Sequence, residues 1–89
     1  MGTFHLEAII NPTVPTAELI REAREHALAG DEVSVGQPEW TLFEAGRRGW
    51  AVKAPDAPYP LHFPTVEAAA TALVRGWIAG SLDAASEGL

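Results

Sequence analysis

Apolar residues recur at every second position in four stretches of the chain and at every third or fourth position in two others. The clearest alternation lies at residues 40–53, read Trp-Thr-Leu-Phe-Glu-Ala-Gly-Arg-Arg-Gly-Trp-Ala-Val-Lys. β-Branched and aromatic residues at period two, on either side of a segment with two glycines, predict a β-hairpin. A simple register puts Trp40, Leu42, Trp50 and Val52 on one face and Phe43 with Ala51 on the other; alternation alone does not fix the register, since a slip of one residue swaps the faces. Residues 4–10 open as a strand, with Phe4, Leu6 and Ala8 on one side and His5, Glu7 and Ile9 on the other. Asn11-Pro12 ends it, because proline cannot donate to a ladder. Residues 31–36 predict a short second strand, stopped by Gln37-Pro38. Residues 61–63 predict a last one, with Leu61 and Phe63 on the same side.

The period changes to that of a helix at residues 17–29, where Leu19, Ile20, Ala23 and Ala27 form a stripe. Thr16 as cap or Pro15 in the first turn starts it, and Gly30 is placed for a left-handed end. Glu18, Glu22 and Glu25 gather on the opposite side. Glu18 repels Glu22 at i,i+4, and Arg21 is spaced to pair with Glu25. A second helix follows Pro64, with Thr65 as cap, Glu67 in the first turn and Gly80 at the end. Its stripe is Val66, Ala69, Ala70, Leu73 and Trp77. Glu67, Thr71 and Arg75 make a polar line. Ala68, Ala72, Gly76 and Ala79 make a side of small residues that admits the close approach of another element. The order is β-α-β-β-β-β-α: an α+β fold, with a small antiparallel sheet of three to five strands and two helices on one face. Residues 1–80 form a single domain, and residues 81–89 read as an acidic C-terminal tail.

Eighty-nine residues make one domain with a modest core. Three Trp, three Phe, one Tyr and eighteen Leu, Ile and Val suffice to fill it. The absence of cysteine rules out disulfides, thiolate metal sites and cysteine nucleophiles together. No signal peptide is legible at the start, and the weakly polar run at 68–80 is too short to cross a bilayer. A cytoplasmic protein without a membrane segment is expected. Twelve carboxylates stand against six basic side chains. Phosphate binding needs clustered Lys and Arg, and the chain has one small cluster, Arg47-Arg48. Direct nucleic-acid binding is therefore not expected. An acidic surface suits a basic protein partner, and it also serves solubility alone.

Candidate chemistry is sparse. His5, His26 and His62 lack partners at metal-ligand spacing, although His5 and His62 sit on strands that could be neighbours. A polar pocket around those two would favour a small enzyme or ligand-binding domain. Glu18, Glu22 and Glu25 lie on a solvated face, whereas acid–base catalysis needs a carboxylate in a cleft. Ser34, Ser81 and Ser86 have no nucleophile-elbow context. Gly46-Arg47-Arg48-Gly49 is too short for a phosphate loop and lacks its Lys-Ser/Thr. Arg47 and Arg48 could grip a carboxylate or keep a hairpin tip in water. The tryptophans read as core. Tyr59, between Pro58 and Pro60, is the best candidate for an exposed anchor. Neither metal, cofactor nor catalytic residues are expected.

Residues 40–80 resemble the HicB-like antitoxin domain. The likeness rests on Gly49-Trp50, then Val52, Pro55-Asp56-Ala57-Pro58, and Thr65-Val66-Glu67-Ala68-Ala69. Tyr59 stands where that family has a glycine, and Phe63-Pro64 where it has Gly-Asp. The resemblance implies a partly degenerate ribonuclease-H-like sheet that neutralises a small basic toxin.

Charge, size and the lack of a catalytic set point to a non-enzymatic inhibitor of a basic, nucleic-acid-handling protein. An antitoxin and a phage anti-defence protein such as an anti-CRISPR are the settings that fit. The expected binding residues are Glu18, Glu22, Glu25, Tyr59, Arg47 and Arg48. The alternatives are a pocket between sheet and helix, or a self-associating subunit using Ala68, Ala72, Gly76 and Ala79 in a homodimer.

Overall fold

The computed structural model describes residues 2–6 and 16–80. Its elements are β1 (Thr3–Leu6), α1 (Thr16–Leu28), β2 (Glu32–Val35), β3 (Trp40–Glu44), β4 (Trp50–Lys53), β5 (Leu61–Phe63) and α2 (Val66–Ala79). The strands form one sheet in the order β1-β2-β3-β4-β5. The sheet is antiparallel from β2 to β5, but β1 and β2 are parallel. The helix explains the departure. α1 carries the chain back along the sheet, so the next strand must run the same way as β1. Ala8 and Ile9 of the expected first strand, Pro12 and Pro15, and the expected tail at 81–89 lie outside the described residues.

The hairpin forms in the simple register: Leu42 pairs with Val52 and Phe43 with Ala51. One sheet face therefore carries Phe4 and Leu6, Val33 and Val35, Trp40 and Leu42, Trp50 and Val52, and Leu61 and Phe63. Both helices cover it. Ala23 and Ala27 of α1, and Val66, Ala69, Ala70, Ala72 and Leu73 of α2, join these strand residues in a single buried core. Alanines let the two helices approach each other and the sheet at once, and α1 touches α2 directly. Trp40 is buried, while Trp50 and Trp77 pack half-exposed on the core's margin.

Each helix ends as its sequence dictates. Thr65 is extended and its hydroxyl accepts the Ala68 N–H at 3.2 Å, the N-cap geometry. Thr16 is already the first residue of α1. At the far end of α1, the Gly30 N–H reaches Ala27 O and the Asp31 N–H reaches His26 O, at 3.1 and 3.0 Å. With Gly30 at φ 96°, this is a Schellman closure.

Gly49 fixes the hairpin tip. After a 3-10 turn over Gly46–Arg48, it adopts φ 85° and ψ −108°, outside the range of residues with a Cβ. A Cβ there would also sit 2.5 Å from the Phe63 carbonyl oxygen, because the tip leans on the end of β5. Gly30 also has positive φ, but a Cβ there meets nothing within 4 Å. Gly30→Ala should thus cost about 1–2 kcal/mol, and Gly49→Ala about 3 kcal/mol or more. Urea unfolding of the two variants checks the difference; equal losses would place the tip away from β5.

Candidate functional site

Residues on the sheet face away from the helices follow from the same register. One row runs His5, Ser34, Thr41, Lys53, and another holds Phe43, Ala51, His62. Neither helix covers them. Phe43 is half-exposed there, so its ring lies on that face rather than under a helix. Ser34 is 3% exposed, and its hydroxyl lies 2.9 Å from His5 Nδ1. It is the one buried polar side chain among the described residues.

His5 and His62 are not neighbours. They occupy β1 and β5, the opposite edges of the sheet. Four strand spacings separate them by roughly 19 Å. No pocket can form between them, and no group of three His, Cys, Asp or Glu able to hold a metal occurs among the described residues. A recess exists elsewhere, at the end of the sheet. A depression of about 400 Å³ at the start of β2 is lined by Gly2, Thr3, Ala27, Asp31, Glu32 and Glu44, with Gly30 and Phe43 completing it.

α1 presents Glu18, Glu22 and Glu25 outward, all exposed. The expected Arg21–Glu25 pair is replaced: Arg21 reaches back to Glu18 at 3.8 Å. That arrangement offsets the Glu18–Glu22 repulsion instead of adding to Glu25, and it leaves Glu22 and Glu25 without an ion pair among the described residues. Arg24 crosses to Glu67 of α2 at 3.6 Å. Both pairs are exposed and contribute about 0–1 kcal/mol. Leu19 is only half-buried, because α1 lies over β1 and β2 at the sheet's margin and nothing described covers that flank.

The remaining candidates sit apart. Arg47 and Arg48 are exposed in the β3–β4 tip, at the end of the sheet where α2 begins. Tyr59 lies in the β4–β5 connection at the other end and is 78% exposed. The acidic side of α1, the basic tip and Tyr59 thus do not converge on one surface. Of the small-residue side of α2, Ala72 and Gly76 are buried within the fold, Ala68 is half-buried against the core and Ala79 is exposed.

Two arrangements escaped the sequence. His26 stacks on Phe4, with ring centroids 3.5 Å apart and planes 5° from parallel. Its Nδ1 lies 3.3 Å from Asp31 Oδ2. The signal was the Schellman spacing itself, which brings the residue after Gly30 over the residue four before it. The Ser34–His5 bond required the parallel β1–β2 register, which no local pattern announces.

No family model, no curated protein and no solved structure matches the chain.

Tyr59 touches water over most of its surface, so Tyr59→Ala should leave the urea midpoint within about 0.5 kcal/mol of the parent. Leu73→Ala, in the closed core, should cost about 2–5 kcal/mol. A large loss at Tyr59 would mean the ring is packed, and would remove it as an anchor.

Proposed function

We propose that this chain is a non-enzymatic acidic binding module that inhibits a basic, nucleic-acid-handling protein. The observation that carries the reading is the outer side of α1. Glu18, Glu22 and Glu25 lie exposed on a helix whose inner side is locked into the core through Ala23 and Ala27. A rigid helix holds these charges in place before a partner arrives, which lowers the ordering cost of association. Charges of one sign on a fixed face speed encounter with an oppositely charged partner and reject like-charged ones. The same side disfavours phosphates, and Arg47-Arg48 stands apart from it.

Two settings fit. The HicB-like pattern at 40–80 supports an antitoxin. Small size and acidity support an anti-defence protein of anti-CRISPR type. A cytoplasmic site of action follows from either partner; no helix among the described residues is long and apolar enough to cross a membrane. A homodimer through Ala68, Ala72, Gly76 and Ala79 has less support, since Ala72 and Gly76 face the protein's own core. A pocket between sheet and helix has less support as well, since the depression beside Asp31, Glu32 and Glu44 lies at the end of the sheet and is lined by Phe43 of the face away from the helices. Light scattering separates the dimer from the monomer.

Capture from a host lysate at low and high salt tests the main reading. The immobilised protein should retain a basic protein at low salt and release it as salt rises. Glu18→Lys, Glu22→Lys and Glu25→Lys combined should weaken retention about tenfold or more and flatten its salt dependence. Equal capture by the triple variant, with an unchanged melting curve, would remove α1 from the interface.

A further inference from the structure

The two edges of the sheet are not alike. β5 is three residues long and lies between Pro60 and Pro64. Short length and flanking prolines are devices that block further strand pairing. β1, Thr-Phe-His-Leu, has no proline and no lysine.

The register fixes which backbone groups of β1 are free. In a parallel ladder, successive residues direct their N–H and C=O alternately to one neighbour and to the other. The Glu32 N–H donates to the Gly2 carbonyl at 2.9 Å, and Thr3 stands opposite Glu32. Phe4 and Leu6 therefore serve β2, as Gly2 does. The N–H and C=O groups of Thr3 and His5 point away from the sheet. Among the described residues they have no backbone partner.

Beside this edge, on the helix side, lies a depression of about 320 Å³. Its described lining is Phe4, His5, Leu19 and Glu22. Phe4 and Leu19 are half-buried apolar residues, and Glu22 is exposed and unpaired among the described residues. Apolar wall and single carboxylate together match one kind of side chain: a long aliphatic stem with a cationic head.

We infer that the outer edge of β1 is a strand-addition site for an extended, lysine- or arginine-bearing segment of a basic partner. This rests on the function proposed above and gives it a location. The added strand bonds to the outward N–H and C=O groups of Thr3 and His5. One of its side chains drops into the depression, with its stem over Phe4 and Leu19 and its charge at Glu22. Main-chain bonds supply affinity, and the pocketed side chain supplies selection.

The probe is a short end-capped peptide of alternating lysine and valine, compared with its glutamate–valine counterpart and with a backbone-N-methylated lysine–valine version. Amide hydrogen exchange and affinity are both read. The lysine–valine peptide should bind and slow exchange at Thr3 and His5. Thr3→Pro removes an outward N–H without touching the β2 ladder, and should weaken binding about tenfold. Glu22→Lys should weaken it about fivefold. The N-methylated peptide removes the same bonds from the other side, so the result stands even if Thr3→Pro fails to fold. Lysine–valine binding that survives N-methylation and leaves Thr3 and His5 unprotected overturns the edge site while leaving the basic-partner reading intact. Failure to prefer lysine–valine over glutamate–valine overturns both.

Discussion

One layer of side chains holds this protein together: the packing of two alanine-faced helices on one side of a five-stranded sheet. Phe63, Leu6, Leu42, Leu73, Val33, Val35 and Val52 are its largest fully buried members. Ala23, Ala27, Ala69, Ala70 and Ala72 are what let α1 and α2 lie against each other and the strands together. Both helices lie on one sheet face; among the described residues neither helix covers the other face, which carries His5, Ser34, Thr41, Phe43, Ala51, Lys53 and His62, of which Ser34 and Ala51 are buried. Among the described residues the margin where α1 overhangs β1 stays open, with Leu19 half-buried.

Charge sorts among them. The sheet face away from the helices mixes one lysine, Glu32 and two histidines with neutral residues, and has no single sign. The outer side of α1 does have one. Arg21 and Arg24 are spent on Glu18 and Glu67, so Glu22 and Glu25 dominate the flank that borders β1. Acidic flank, apolar recess and a strand edge unpaired among the described residues are thus contiguous, whereas Arg47-Arg48 and Tyr59 lie at opposite ends of the sheet. A protein that grips a basic partner along α1 and β1 uses all three features at once.

Much of the fold was legible in the sequence, because it is written in short-range periods. The hairpin itself followed from alternation across 40–53, and the Thr65 cap from its place one residue before the apolar stripe; the hairpin register did not, because a one-residue slip keeps the same alternation and swaps the faces. What was not legible depends on strand order. Nothing local says that β1 lies beside β2 in parallel, so the Ser34–His5 bond, the stacking of Phe4 on His26 and the separation of His5 from His62 were hidden. Long exposed side chains were equally underdetermined. Arg21 had a carboxylate available at either spacing and took Glu18. The acidic side of α1 was readable from helical period alone; the free edge beside it was not.

The most direct measurement is the hydrogen-exchange footprint of the protein in complex with a basic protein, should the lysate capture yield one. The account predicts slowed exchange at Thr3 and His5 and along residues 18–25, with Phe43, Ala51 and His62 unchanged. Protection confined to the sheet face around Phe43 and His62, with β1 and α1 exchanging as in the free protein, would contradict it.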